Sequence, residues 1–123
     1  MLDLALSRTL TKFTNLRFIV PHLGGSFPSI IDRAIPPGAL LDEVMSALRT
    51  RCWWDSAGFT YAHQIAGLLA FNISSENLLF GTDYPYISDS AIRLAGRDMM
   101  QTRWLTAEEK DGVKNRNAQR LFN

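Results

Sequence analysis

Two side chains that can bind a metal ion or move a proton follow apolar runs of this chain. His22 comes after the run Leu16 to Val20, and Asp83 comes after the run Asn77 to Phe80. An imidazole can ligate a metal ion through one nitrogen or exchange protons near neutral pH. A carboxylate at the end of a buried strand needs a cation, a metal ion or several N–H donors as partners. His22 and Asp83 are therefore the first candidates for chemistry.

Each of these two residues also has a structural role that its position allows. His22 can simply hydrogen-bond the backbone of its loop. Asp83 can cap the next turn through the amides of Thr82 or Tyr84. Both alternatives stay open on the residues alone.

Two more charged residues stand near these positions. Asp55 follows Cys52-Trp53-Trp54 at the end of a third apolar run, where it can orient a substrate or a histidine, or cap the segment that follows. Arg33 lies eleven residues after His22 and can bind a carboxylate through two parallel hydrogen bonds. A solvated position on a helix is the other interpretation of Arg33.

The remaining residues of interest favour structural roles. His63 begins an amphipathic segment, where a surface or capping role is the commoner outcome. The tryptophans favour packing over a substrate cage; they are Trp53, Trp54 and Trp104. The sequence contains no phosphate loop and no nucleophile elbow.

Strand-like runs alternate with helical patterns along the chain, and this predicts a parallel sheet built from βαβ units. The predicted strands are Leu16 to Val20, Arg51 to Trp54 and Asn77 to Phe80. Residues 1 to 12 read as the end of a helix, and further helices are predicted over Phe27 to Ala34, Ala39 to Arg49, Ala62 to Phe71 and Asp89 to Met100. A last helix is predicted from Thr106, whose hydroxyl forms a capping box with Glu109.

Length and charge describe one globular domain over residues 1–123. The chain has 46% hydrophobic and 20% charged residues and a net charge of +1, with no basic or acidic block to favour a nucleic acid. Charged residues interrupt the apolar N-terminus, so neither a signal peptide nor a membrane span is predicted there. The single cysteine, Cys52, favours a reducing, cytoplasmic setting.

The two segments around His22 and Asp83 resemble those of the amidohydrolase-related metal-dependent decarboxylases, the group that includes aminocarboxymuconate-semialdehyde decarboxylase and 6-methylsalicylate decarboxylase. His22-Leu23-Gly24-Gly25 is similar to the His-x-Gly-Gly segment after their strand six, and Gly81 to Pro85 matches all five positions of the Gly-Thr-Asp-Tyr-Pro segment after their strand eight. Asp55-Ser56 and Asn117-Ala118 also resemble family segments. The resemblance extends from about Asn15 to Phe122.

This resemblance implies a fold and a set of roles. The fold is α/β, namely the C-terminal part of a TIM barrel with about three βα units, equivalent to strands six to eight. His22 is then the proton-handling catalytic residue and Asp83 a ligand of a divalent metal ion, usually zinc. Arg33 corresponds to an arginine that reaches a substrate carboxylate in the neighbouring subunit. The implied function is a carboxy-lyase or hydrolase of a small aromatic or unsaturated carboxylic acid.

The family's other metal-binding histidines have no counterpart in this chain. Its two histidines are His22 and His63, whereas a catalytic zinc site has three protein ligands. A complete barrel has eight strands over roughly 250 residues. We therefore expect an incomplete barrel that is inactive alone, with open sheet edges. Its expected partners are a complementing N-terminal half or a second copy, and the alternative function is that of a non-catalytic remnant or interaction module bound to an intact homologue.

Overall fold

A computed structural model describes residues 1–58 and 62–123 of the chain. Three parallel strands form one sheet in the order β1-β2-β3: β1 (Phe18–Val20), β2 (Cys52–Asp55) and β3 (Leu78–Leu79). The helices are α1 (Leu2–Leu6), α2 (Thr9–Lys12), α3 (Phe27–Ala34), α4 (Ala39–Arg51), α5 (Ala62–Ala70), α6 (Asp89–Gln101), α7 (Ala107–Asp111) and α8 (Asn117–Phe122). The predicted βαβ arrangement is confirmed.

The strand register separates the sheet into two faces. Val20 pairs with Trp54, which pairs with Leu78, and all three side chains are almost fully buried. This face contacts the core that the helices complete, where Trp54, Phe27 and Leu68 line the same small cavity. The opposite face carries Ile19, Trp53, Asp55 and Leu79, and it is more open because Ile19 is 49% exposed.

The predicted helices occur close to their expected bounds, whereas β1 and β3 are shorter than expected and β2 has the expected length but begins one residue later. The predictions for α3 and for the start of α4 are confirmed, α5 lies within the predicted range Ala62 to Phe71, and Pro28 lies in the first turn of α3. The strand expected over Asn77 to Phe80 contains only Leu78 and Leu79, because the Phe80 amide donates to the carbonyl of Val113 at 3.1 Å. The N-terminal segment forms two short helices instead of one, since Arg8 has a left-handed φ of 62°.

The helix predicted from Thr106 corresponds to α7, and α7 begins with the predicted capping box. Thr106 Oγ1 accepts from the Glu109 amide at 3.2 Å, and Glu109 Oε2 accepts from the Thr106 amide at 2.8 Å. Between α7 and α8 the backbone widens into a π-helical segment, Gly112–Arg116. Single π turns of this kind release carbonyl groups from the regular helical ladder, and here the Val113 carbonyl accepts the Phe80 amide.

The C-terminal helical region covers the outer edge of β3, which corrects the expectation that both sheet edges are open. Asn117, buried at 3% exposure, donates through Nδ2 to the carbonyls of Leu78 at 2.8 Å and Ser75 at 2.9 Å. Together with the Phe80–Val113 hydrogen bond, these contacts occupy backbone groups on the side of β3 that faces away from β2. In the described ranges, 1–58 and 62–123, no helix has the length and apolar character to cross a membrane.

Candidate active site

The parallel strands bring their carboxyl ends to one edge of the sheet, where the loops after β1, β2 and β3 meet. Active sites of α/β barrels lie at this edge. Ser56 fastens two of these loops, because its amide donates to the Leu79 carbonyl at 2.9 Å and its hydroxyl accepts the Gly81 amide at 3.4 Å. The candidate site is therefore built on three adjoining loops.

His22 is held in a left-handed turn directly after β1. Pro21 ends the strand, and His22 and Leu23 have φ values of 54° and 50°. The Leu23 side chain is buried at 1% exposure and anchors the turn, whereas His22 is exposed. Gly24 follows with a φ of 80°, and a Cβ atom there would lie 2.8 Å from Cζ3 of Trp54, so the turn needs glycine at this position.

The imidazole of His22 reaches across to the loop after β2. Its Nδ1 lies 2.8 Å from the Ala57 carbonyl oxygen. A carbonyl can only accept, so Nδ1 carries the hydrogen and Nε2 of the neutral ring keeps its lone pair. The structural alternative, a histidine bonded to loop backbone, therefore describes one ring nitrogen and leaves the second available for chemistry.

Asp83 also adopts a left-handed conformation, with a φ of 62°. Its carbonyl accepts the Tyr86 amide at 2.9 Å, which closes the turn after Gly81-Thr82. The Tyr84 amide donates to Thr82 Oγ1 at 3.3 Å, so this amide is used by the threonine hydroxyl. The Asp83 side chain is half-buried.

His22 and Asp83 meet around Gly58. A Cβ atom at Gly58 would lie 3.1 Å from His22 Nδ1 and 3.7 Å from Asp83 Oδ2. Gly58 has a φ of 75°, a conformation that other residues rarely adopt. The structure thus places two of the three predicted site residues beside the same glycine of the loop after β2.

Arg33 lies apart from this pair. It is exposed in the last turn of α3. Since a helix rises about 1.5 Å per residue, Arg33 is most of a helix length from the loop that carries His22. Its predicted role concerns a neighbouring subunit and stays a prediction.

Asp55 takes part in the loop architecture. Its Oδ1 accepts the Ala57 amide at 2.6 Å, and its carboxylate lies so close to Gly81 that a Cβ atom at Gly81 would overlap it. Asp55 thus closes a turn onto the amide two residues later, and the two roles predicted for it, orienting a substrate or histidine and capping the segment that follows, stay predictions. Sequence reasoning missed the Ala57 carbonyl, because every residue has a backbone carbonyl and its position in the fold has no sequence signal.

Asp83 is the residue that fits the predicted divalent-metal ion. Its carboxylate is a suitable donor for zinc or manganese. No group of three histidine, cysteine or acidic residues that could hold a metal ion occurs in the described part of the chain. The residues present thus fit part of a metal site, and the other ligands would have to come from elsewhere.

Comparison with known proteins gives the family. The profile of the amidohydrolases matches residues 1–123. Among solved structures, an amidohydrolase II is 27% identical with a TM-score of 0.81, and the match covers 97% of this chain and 39% of that one. Comparison with curated proteins gave no match.

Two decarboxylase structures share the fold. A 2,6-dihydroxybenzoate decarboxylase with bound 2,6-dihydroxybenzoate is 20% identical, with a TM-score of 0.76 and coverage of 98% of this chain and 40% of that one. A dihydroxybenzoic acid decarboxylase from Polaromonas sp. JS666, with manganese and the inhibitor 2-nitroresorcinol, is 19% identical, with a TM-score of 0.76 and coverage of 98% and 38%. The chain spans about 40% of the length of these structures. It belongs to the amidohydrolase family and forms a three-stranded α/β part of that family's TIM barrel.

Proposed function

We propose that this chain contributes the last three βα units of a metal-dependent carboxy-lyase or hydrolase that acts on a small aromatic or unsaturated carboxylic acid. The observation that carries the proposal is the meeting of His22 and Asp83 around Gly58, with Nδ1 of His22 bonded to the Ala57 carbonyl. Structural relatives include decarboxylases of dihydroxybenzoic acids. Because the chain spans about 40% of those proteins, the activity belongs to a completed barrel.

His22 is the residue to which we assign proton transfer. In decarboxylation the bond between the carboxyl group and its carbon breaks, carbon dioxide leaves, and the carbon that keeps the electron pair takes a proton. The imidazolium form of His22 would donate that proton from Nε2, and the neutral ring would then take a proton from water. In hydrolysis the same Nε2 would accept a proton from the attacking water.

Asp83 is the residue that we assign to a divalent metal ion, with zinc and manganese as candidates. When bound, such an ion polarises a substrate oxygen or lowers the pKa of a water molecule. Asp83 lies in the turn after β3, and its Oδ2 lies near the same glycine, Gly58, as Nδ1 of His22. Further ligands would come from outside this chain, since catalytic zinc sites use three protein ligands.

Arg33 is assigned to the carboxylate of a substrate held mainly by a neighbouring subunit. Its exposure at the end of α3 supports contact across an interface. The planar guanidinium can form two parallel hydrogen bonds with a carboxylate. This assignment requires at least a dimer of the completed enzyme.

We place the protein in the cytoplasm on the evidence of its one cysteine. Cys52 is a free thiol with 0% exposure in β2. Burial raises the pKa of this thiol to about 11, against the opposing effect of the Arg51 charge. A protonated core thiol of this kind fits a reducing compartment, where disulfides are rare.

The partner that we propose is a polypeptide that carries the remaining βα units and the missing metal ligands. The outer edge of β3 is occupied by Val113 and Asn117. The outer edge of β1 has no strand beside it in the described sheet, and Ile19 next to this edge is 49% exposed. A complementing half would therefore first add its strand beside β1, and closing the barrel would also require it to displace the Val113 and Asn117 contacts from the outer edge of β3.

The same open edge favours a second candidate, a non-catalytic module that binds an intact homologue. Both candidates use β1, so binding alone does not separate them. The catalytic proposal predicts that the assembled complex releases carbon dioxide or hydrolyses an acid, and that the His22→Asn variant lowers this activity. The module proposal predicts assembly with no dependence of activity on His22.

The experiment that tests the site is titration calorimetry of the purified chain with Mn²⁺ and with Zn²⁺ at neutral pH. We expect weak binding to the wild type that is lost in Asp83→Asn, a substitution that keeps a residue suited to a left-handed turn. Asp32→Asn, on the exposed face of α3, is the matched control and should bind like the wild type. Equal binding by the wild type and Asp83→Asn would overturn the metal assignment.

A parallel assay follows carbon dioxide released from 2,6-dihydroxybenzoate in the presence of either metal. The chain alone should release none, because its ligand set is incomplete. Release that depends on Asp83 would overturn the need for a second half while it supported the proposed chemistry.

A further inference from the structure

The Asp55 carboxylate occupies a fixed position between two loops of the site. Its Oδ1 accepts the amide of Ala57 at 2.6 Å, so the turn after β2 is closed by its own first residue. On the other side, a Cβ atom at Gly81 would be under 3.0 Å from the Asp55 carboxylate, so this side chain is in tight contact with the backbone after β3. The glycine at position 81 makes room for Asp55.

Ala57 forms hydrogen bonds with both Asp55 and His22. Asp55 accepts from the amide of Ala57, and the carbonyl of Ala57 accepts from Nδ1 of His22 at 2.8 Å. The amide and the carbonyl of Ala57 belong to adjacent peptide groups, so fixing the amide at Asp55 restricts the orientation of the carbonyl that accepts from His22. Gly58, with its φ of 75°, gives this turn its direction and lies 3.1 Å, at its Cβ position, from the same Nδ1.

We propose that Asp55 is a positioning residue that fixes the tautomer of His22 through Ala57. With the Ala57 carbonyl in place, the neutral imidazole carries its hydrogen on Nδ1 and keeps Nε2 unprotonated. An imidazole free in water prefers the opposite tautomer, with the hydrogen on Nε2. A group that orients a histidine by accepting from its other nitrogen is a recurrent second partner of metal-binding and proton-transferring histidines.

The inference deepens the proposed function, since the value of a free Nε2 rests on the catalytic role given to His22. The tautomer itself is a property of the isolated chain and can be measured without metal, substrate or partner. Asp55 contacts neither reacting atoms nor the metal in this proposal. Its effect on activity would be exerted through His22 alone.

The test is a two-bond ¹H–¹⁵N correlation NMR spectrum of the histidine rings, recorded at a pH where both are neutral. The chain has two histidines, and a His63→Gln variant assigns the signals of His22. We expect the wild type to show the Nδ1–H form. Asp55→Ala should change the ratio of the two tautomers about fivefold or more toward the Nε2–H form, the factor that corresponds to losing one ordinary hydrogen bond.

Two variants separate positioning from general loss of structure. Asp55→Asn retains a side-chain oxygen that can accept the Ala57 amide, so it should keep the Nδ1–H form. Gly81→Ala keeps the Asp55 charge but displaces its carboxylate, so it should shift the tautomer in the same direction as Asp55→Ala. Asp32→Ala, which removes an exposed carboxylate from α3, is the control and should leave the spectrum of His22 unchanged.

An unchanged tautomer in a folded Asp55→Ala chain would overturn the inference. If Asp55→Ala does not fold, an unchanged tautomer in folded Gly81→Ala overturns it equally. A tautomer shift in Asp55→Ala, combined with metal binding that is unchanged in Asp83→Asn, would support the positioning role of Asp55. The same result would overturn the proposed function. The two ideas therefore fail by different measurements.

Discussion

At the scale of single residues, the two candidate site residues share an unusual backbone. His22 and Asp83 have φ values of 54° and 62°, in the left-handed region. Asparagine, aspartate and histidine tolerate this region better than other non-glycine residues, and β-branched residues tolerate it least. Histidine and aspartate are therefore compatible with these turns, which limits how much strain the site stores.

This conformation leads to a prediction about substitutions at His22. His22→Asn should lower the free energy of unfolding by about 1 kcal/mol, because it removes the hydrogen bond from Nδ1 to the Ala57 carbonyl. His22→Val should lower it by about a further 1–2 kcal/mol, the cost of a poorly tolerated left-handed residue. Both variants lose the hydrogen bond to the Ala57 carbonyl, so the difference between their free energies of unfolding gives the cost of the left-handed backbone. Urea unfolding measures both free energies.

A matched control is Ser29→Val on α3, where the residue is exposed and the backbone is right-handed. This substitution should cost clearly less than His22→Val. Equal costs for His22→Asn and His22→Val would contradict the left-handed turn.

At the scale of elements, the helical C-terminus is fastened at both of its ends. The capping box starts α7, and Glu109 Oε1 also accepts the Ser75 hydroxyl at 2.8 Å, which links the helix to the turn before β3. The backbone amide of Thr106 is the main cause that lowers the pKa of Glu109, and the hydroxyls of Ser75 and Thr106 add to it. Further along, Arg17 Nη1 donates to the Leu121 carbonyl at 3.2 Å.

The lowered pKa of Glu109 predicts a pH dependence of stability. Because the folded-state pKa lies below the usual glutamate value of about 4.3, the unfolded state binds the proton more readily than the folded state. The stabilisation is therefore fully present above that value and is lost as pH falls through the lowered folded-state pKa. Glu109→Gln should reduce the decrease in the free energy of unfolding at acidic pH, as measured by urea unfolding at several acidic pH values.

Glu108→Gln is the control for this experiment, because Glu108 is the neighbouring exposed residue and does not form the capping box. Glu108→Gln should show the same decrease in the free energy of unfolding at acidic pH as the wild type. The same slope of unfolding free energy against pH in Glu109→Gln and Glu108→Gln would show that Glu109 is not the titrating group.

Thr106→Ala should lower the free energy of unfolding by about 1 kcal/mol at neutral pH, the usual value for losing a helix N-cap.

At the scale of the whole molecule, the sheet has one covered edge and one open edge. Asn117 and the π-helical segment protect β3, while β1 keeps an apolar residue, Ile19, at 49% exposure beside its free edge. An uncovered strand next to an exposed apolar side chain promotes association with another chain. A partner strand can therefore pair with the free edge of β1 more readily than with the covered edge of β3.

This asymmetry predicts that the purified chain self-associates through β1 when no complementing half is present. Ile19→Lys should reduce the association, since a charged residue at an edge strand opposes pairing. Sedimentation velocity over a range of concentrations measures the change. Ile30→Lys, at an exposed isoleucine of α3 with 38% exposure, is the matched control and should associate like the wild type.

A different outcome would locate the association elsewhere. If Ile30→Lys lowers the sedimentation coefficient as much as Ile19→Lys does, general surface charge and not the β1 edge governs the effect. A wild-type chain that stays monomeric at all concentrations would show that the open edge is insufficient for pairing.

The sequence by itself determined the order of strands and helices, the capping box and the positions of His22 and Asp83 at strand ends. These features depend on local patterns, namely periodic apolar residues, glycine and proline at turns, and side chains that bond neighbouring amides. The family segments at positions 22–25 and 81–85 also lie within a few consecutive residues, so they are legible in the sequence.

Only the tertiary structure decided which groups meet. The Ala57 carbonyl, the space at Gly58 and the contact of Asp55 with Gly81 join residues from different strands, and a backbone carbonyl has no signature in the sequence. The cover of β3 likewise depends on a carbonyl released by a π-helical turn and on Asn117, which lies 39 residues from Leu78 along the chain. Such contacts are set by the packing of whole elements, so they follow from the fold and not from local residue preferences.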